Sequence, residues 1–165
     1  MNYKQFIKLL GPKTTKVKLK PKIVKSKKFE KFTLETIEYN VEKNERVRSL
    51  FLLPHNIIKK VPAIICHHQH ASKYNIAKSE MAGLKGNNDL AYAKELAERG
   101  FVAFAPDSIA FEERNKLKSN WWGVEYFELA SRIIQGKTLL EKTLSDLSVA
   151  TDYLITRSEV NKNKI

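Results

Sequence analysis

Apolar and polar positions change period several times along the chain, and each change marks an element. Residues 32–39 alternate, with Phe32, Leu34, Thr36 and Glu38 on one side and Thr33, Glu35, Ile37 and Tyr39 on the other. Their β-branched and aromatic content predicts a strand. A polar turn at 40–44 and a second apolar stretch at 47–53, closed by Pro54, complete an antiparallel hairpin. Residues 63–67 are almost continuously apolar, as in a central parallel strand covered on both faces. A long polar loop over 71–87 follows. Asn88 or Asp89 can cap a helix to about Arg99, with Leu90, Ala93, Leu96 and Ala97 on one stripe and Gly100 as the stop. Residues 101–105 give a fourth strand, and helical periods cover 121–134 and 137–157. The last of these places Leu140, Leu144, Leu147, Tyr153 and Leu154 near one face, and Ile165 has the character of the first residue of another strand.

Residues 61–113 organise the rest. An apolar strand ends in the cluster His67-His68-Gln69-His70, a helix follows, and a second apolar strand ends in Pro106-Asp107. This is a β-α-β unit, expected to be right-handed, with its polar residues at the carboxyl ends of the strands, where open α/β sheets bind ligands.

Charge modifies the picture at one end only. The net charge is +12, but residues 1–32 hold eleven lysines against one glutamate, which leaves +2 for the remainder. Residues 1–32 are therefore set apart as a basic arm, irregular or in short extended pieces around Gly11, Pro12 and Pro21, ahead of a domain over 33–165. Such an arm suits nucleic acid or an acidic surface; its plainer reading is a solubilising extension or an edge strand with outward lysines, and Lys16-Val-Lys-Leu-Lys20 supports the latter. Without arginines and with few aromatics among the lysines, nucleic acid is the disfavoured partner. Nothing in the chain is apolar enough to span a membrane. A single cysteine excludes an intrachain disulfide and fits the cytoplasm.

The histidine cluster admits three kinds of chemistry. His68 and His70, joined by Asp107, could begin a metal site, although zinc needs three or four ligands. One histidine could simply cap the strand end. The backbone N–H groups of Gln69 and His70, at the turn leaving a central strand, could form part of an oxyanion hole. Around this cluster, Lys78 and Glu80 with Glu112, Glu113 and Arg114 form either an ion-pair brace between two loops or a solvated charge cluster. Asp107 shapes the pocket or caps the following turn, the cap being the simpler reading. Trp121, Trp122, Tyr126 and Phe127 line an acyl pocket or, more in keeping with their spacing, belong to a core or interface. Cys66, inside the apolar strand, is an inert buried thiol.

The hairpin, the strand ending in His-Gln-His, and Lys78-Ser-Glu-Met-Ala-Gly-Leu-Lys-Gly-Asn87 together resemble dienelactone-hydrolase-like α/β-hydrolases, in a branch similar to acetyl-xylan-esterase-like enzymes. Ala97-Glu-Arg-Gly-Phe-Val102, Ala105-Pro-Asp-Ser108 and Phe111-Glu-Glu-Arg114 extend the likeness over residues 33–165. The resemblance implies an α/β fold class: the N-terminal portion of an α/β-hydrolase fold, with an antiparallel hairpin leading into a parallel β-α-β sheet with flanking helices. It implies hydrolysis of a carboxylic ester or lactone by a serine or cysteine nucleophile with an acid and a histidine, and no cofactor. Gln69 and His70 match the oxyanion donors, and His68, Lys78, Glu80, Asp107 and Glu112 fall where substrate is held.

The departure is the nucleophile elbow, Gly-x-Ser-x-Gly or its cysteine form, which is absent from residues 1–165. The triad acid and base follow the nucleophile in that superfamily and are absent with it. The expectation is an esterase or lactonase portion that is inactive alone and self-associates through an open sheet edge. The alternatives are a non-catalytic module that binds through that edge or the lysine arm, and a metal-dependent hydrolase.

Overall fold

The hydrophobic pattern of the second strand decides how the layers are arranged. In the structure, a computed structural model describing residues 2–11, 14–70, 73–117 and 121–165, β2 (Phe32–Glu42) carries apolar residues of opposite parity at its two ends. Phe32 and Leu34 join Met81, Ala82, Ala93 and Ala97 on one side of the sheet, while Ile37, Tyr39 and Val41 join Val149, Tyr153 and Leu154 on the other. Side chains two apart share a face, so one strand feeds two cores.

The sheet has the order β1-β2-β3-β5-β4. β1 (Lys22–Lys28), β2 and β3 (Glu45–Pro54) are antiparallel, with Asn44 at positive φ in the β2–β3 turn. β3 pairs antiparallel with β5 (Val102–Pro106), and β5 pairs parallel with β4 (Ala63–Ile65) through Ala63↔Val102 and Ile65↔Phe104. All five residues of β5 are buried. Ala103 and Ala105 face α3 (Tyr92–Glu98), whose own Ala93 and Ala97 let helix and strand approach closely. Val102 and Phe104 face α5 (Leu139–Thr156). There Tyr39 stacks on Tyr153 with ring centroids 5.7 Å apart, and Phe51 and Phe104 pack against the same tyrosine. Two further helices, α1 (Tyr3–Leu9) and α4 (Trp121–Ile134), lie outside this core, and α2 (Lys78–Met81) is a single buried turn.

Several elements differ from the sequence reading. The basic arm does contribute an edge strand, but at Lys22–Lys28, wholly exposed and paired to β2, and not at the Lys16–Lys20 alternation. Leu19 instead packs on the core and Lys16 pairs with Asp152. The third strand stops at Ile65, although the Cys66 N–H still donates to the Phe104 carbonyl. The loop over 71–87 contains α2, because Lys78, Ser79 and Glu80 find buried partners there. The expected helix from residue 88 breaks in two: a 3-10 turn at Asn88–Leu90, capped by the Asn87 side chain, precedes α3. α5 is rotated from its expected face. Leu140 and Leu144 are exposed, while Lys142 and Asp146 turn inward, since Lys142 reaches Glu42 at 2.7 Å, Glu45 at 2.5 Å and Asp146 at 2.9 Å. Of the α4 aromatics, Trp122, Tyr126 and Phe127 are exposed; the Trp121 side chain and residues 118–120 lie outside the described residues. Ile165 is not in a strand, yet the chain before it runs beside β4: Val61 and Val160 form a parallel bridge, and the Ala63 N–H donates to the Lys164 carbonyl. Among the described residues no helix is long and apolar enough to cross a membrane.

Phe104 contacts both Tyr39 and Tyr153 from a strand with no exposed face. Phe104→Ala is expected to lower the unfolding free energy by about 3–5 kcal/mol, read from the midpoint of urea denaturation.

Candidate active site

The carboxyl ends of β4 and β5 bring two loops together. After β4 come His67, His68, Gln69 and His70; after β5 come Asp107, Ser108 and the segment to Asn115. His68 is buried, and His67, Gln69 and His70 are exposed. His68 Nδ1 lies 3.1 Å from the Gln69 carbonyl, so that nitrogen carries the proton, and Nε2 accepts from the Ser108 N–H at 3.3 Å. Burial holds the His68 pKa below its ordinary value. This histidine is a neutral strut between the two loops.

His67 is fixed by the same logic. Its Nδ1 donates to the His68 carbonyl at 3.0 Å, which leaves Nε2 to accept from the Ser108 hydroxyl at 3.1 Å. The pairing joins the loops after two different strands, which sequence spacing does not reveal. His70 turns away from both, and its Nε2 donates to the Glu125 carboxylate of α4 at 2.8 and 3.0 Å. Tyr74 donates to the same carboxylate at 2.6 Å. Among the described residues, the backbone N–H groups of Gln69 and His70 have no hydrogen-bond partner.

Below the histidines, buried Lys78 reaches into the second loop. Its ammonium group contacts Asp107 at 3.1 Å, Glu112 at 2.5 Å, and Glu113. Glu112 also accepts from the N–H groups of Ala77 and Ser79 and from the Ser79 hydroxyl. Burial opposes the Glu112 charge, but Lys78 and the Ser79 donors outweigh it and hold its pKa below the ordinary value. Asp107 differs. Burial pushes its carboxyl up to about 8 against the pull of Lys78, and its Oδ1 is buried without a hydrogen-bond partner among the described residues. Ala110 and Glu112 both have positive φ, at 69° and 36°, so the loop is held in a costly backbone conformation by these contacts.

The brace expected between the loops is thus present, with a changed membership. Glu80 stands apart, accepting from the Asn87 N–H at 2.9 Å beside Gly86, where a Cβ would come within 2.3 Å of its carboxylate. Arg114 joins a separate network with Glu45 at 2.6 Å and Asp146 at 2.8 Å, touching the first only through the Asp107 carbonyl. Asp107 does not cap the following turn, because Lys78 engages the one oxygen that has a partner. Burial raises the Cys66 thiol pKa to about 12, so it is a poor nucleophile at neutral pH.

The metal reading is not assembled as expected. The ligand atoms that converge among the described residues, within 4.8 Å of one another, belong to Asp107, Glu112 and Glu113 and not to His68 or His70. The Lys78 ammonium group is bonded to all three. A cavity of about 810 Å³ lies to one side, between the hairpin and α4, lined by Arg46, Arg48, Arg114, Phe127 and Arg132 among others. A second, of about 10 Å³, touches His67, Asp107 and Ser108.

No protein-family model and no curated protein matches the chain. Solved structures do. One from Bacteroides fragilis, assigned as an acetyl xylan esterase, superposes with a TM-score of 0.78 at 22% identity, over 95% of this chain and 42% of its own. Acetyl xylan esterase 1 from Thermoanaerobacterium matches with a TM-score of 0.56 at 16% identity, over 98% and 53%. A glucuronoyl esterase from Solibacter usitatus matches with a TM-score of 0.61 at 13% identity, over 98% and 50%. The chain therefore has the architecture of the N-terminal portion of an α/β-hydrolase fold and spans about half the length of these esterases, or less.

The raised Asp107 pKa has a sign. Its folded value of about 8 lies above the ordinary 3.8, so between these values the folded state binds more protons than the unfolded state. The Asp107 contribution to stability therefore falls as pH rises through that window. Asp107→Asn is expected to flatten this part of the stability profile, measured as urea midpoints from pH 5 to about pH 9.

Proposed function

We propose that the chain carries the oxyanion side of a carboxylic ester or lactone hydrolase site. The observation behind this reading is that, among the described residues, the N–H groups of Gln69 and His70 have no partner, beyond the carboxyl end of a parallel strand in an α/β-hydrolase architecture. When a nucleophile adds to an ester carbonyl, the C=O π electrons move to oxygen, and two N–H donors there stabilise the oxyanion. One such donor contributes roughly 3 kcal/mol to the transition state. Collapse of that intermediate restores the carbonyl and breaks the C–O bond, the leaving oxygen taking the proton that the base removed from the nucleophile, and water then adds to the acyl group in the same way to release the acid.

In this reading His68 forms the floor beneath the acyl group. Lys78, Asp107 and Glu112 set the substrate wall by holding the two loops that carry it, and Glu80 braces the first loop at Asn87. The nucleophile, acid and base of such a site are not assigned to any residue of 1–165. Ser108 lacks the strand–turn–helix setting of an elbow, and His67 has a backbone carbonyl where a triad has a carboxylate. Residues 1–165 are therefore inactive alone. The esterase names of the structural neighbours support the ester class, and the single buried thiol suits a reducing cytoplasm. The exposed apolar residues Trp122, Tyr126, Phe127, Ile133 and Ile134 of α4 support self-association.

Dimethylphosphinate, a tetrahedral monoanion throughout the neutral range, tests the donors. On titration into isotope-labelled protein the Gln69 and His70 amide protons are expected to shift downfield saturably; unmoved amide resonances would overturn the reading. Turnover of para-nitrophenyl acetate by residues 1–165 is expected to equal that of a His68→Ala, His70→Ala double variant, and burst release of product would refute the assignment of the nucleophile. Sedimentation velocity is expected to show concentration-dependent association, weakened in a Trp122→Ser, Phe127→Ser variant.

A further inference from the structure

Resting on that reading, we infer that Glu125 is a positioning residue for the oxyanion loop: its carboxylate clamps His70 and Tyr74 and thereby holds the Gln69 and His70 amides in place. Three hydrogen bonds converge on it, two from His70 Nε2 at 2.8 and 3.0 Å and one from the Tyr74 hydroxyl at 2.6 Å. The His70 ring stands edge-on to both Tyr74 and Phe111, at 5.4 Å from each, and Tyr74 packs on Phe111 at 4.9 Å. At the base of the loop the Glu112 N–H donates to the Tyr74 carbonyl at 2.7 Å. The clamp therefore closes the outer end of a loop whose inner end is fixed by His67 and His68.

The same contact fastens α4. Among the described residues no α4 side chain is fully buried, and the cavity of about 810 Å³ separates part of the helix from the hairpin. Beyond Glu125, the ion pairs of this helix run through Arg132, to Glu42 at 3.9 Å and Glu128 at 3.6 Å. Glu125 is thus the short polar link between a loosely packed helix and the loop at the end of β4.

Charge makes the clamp depend on pH. The charged or titratable groups facing His70 are Glu125 from α4 and the Tyr74 phenol from its own loop. The Glu125 hydrogen bond raises the His70 pKa above its ordinary value and raises that of Tyr74 to about 12. With a raised folded pKa, the pairing is at full strength below the unfolded value of about 6.5 and is lost as pH rises through the folded midpoint. Below that midpoint His70 carries a positive charge next to the two amides, which favours an anion there.

The His70 imidazole midpoint and dimethylphosphinate affinity are to be measured by NMR on the full chain. In Glu125→Gln the midpoint is expected to fall toward the ordinary value and the affinity to weaken about tenfold, the equivalent of one charge-assisted hydrogen bond. Glu125→Asp keeps the charge and is expected to restore part of both. Glu128→Gln, on the same helix, is expected to change neither. In the wild type, affinity is expected to decline with the same midpoint as the His70 titration. An unchanged His70 midpoint and affinity in Glu125→Gln would overturn the clamp. Absence of phosphinate binding to the wild type would remove the oxyanion reading and Glu125's positioning role with it, while the His70 midpoint would still decide whether the pair itself forms.

Discussion

Lys78 places its ammonium group among Asp107, Glu112 and Glu113, at a point where two loops from different strands must meet. Removing a lysine from water costs several kcal/mol, and the position is tolerable only because carboxylates surround it. Glu112 in turn binds the N–H groups of Ala77 and Ser79, so the turn that delivers Lys78 is gripped by the loop the lysine reaches. The positive φ at Ala110 and Glu112 is maintained by these contacts. This cluster and the His67 and His68 contacts to Ser108 together give the two strand-end loops a common frame.

A second buried network does similar work on the other side of the sheet. Lys142 and Arg114 share Glu45 and Asp146, and Lys142 also takes Glu42, so the hairpin turn, the loop after β5 and α5 are tied at one place. Breaking such a pair by removing one partner leaves a buried charge without compensation, which is why these networks fix a conformation more than they add net stability. The two networks meet where Arg114 donates to the Asp107 carbonyl. Between them they hold the end of the sheet at which the site lies, while the aromatic cluster of Tyr39, Phe51, Phe104 and Tyr153 fills the middle.

The functional reading follows from which polar groups remain free. His68 is consumed as a strut, Lys78 and the acids around it as a brace, and Cys66 as core. Among the described residues, the backbone N–H groups of Gln69 and His70 at the end of β4 stand without a partner, with the His70 ring bonded to Glu125 beside them. This is the observation on which the proposed oxyanion role rests.

Much of this was legible in the residues. The alternation of 32–39, the unbroken apolar runs ending in His67 and Ala105, and the helix between them define the hairpin and the β-α-β unit, because side-chain periodicity is a local property. For Lys78, Glu112 and Glu113 the residue types left a brace and a solvated cluster equally open, and burial of the ammonium group among the acids decided for the brace. What sequence could not supply was pairing across distance. Lys78 and Asp107 are 29 positions apart, His70 and Glu125 are 55 apart, and Lys142 and Glu45 are 97 apart. No periodicity connects such residues, so the partner of each charge was settled only when the chain folded. The rotation of α5, which leaves Leu140 and Leu144 in solvent, has the same origin: a buried ion network outweighed the apolar stripe that the helix shows in isolation.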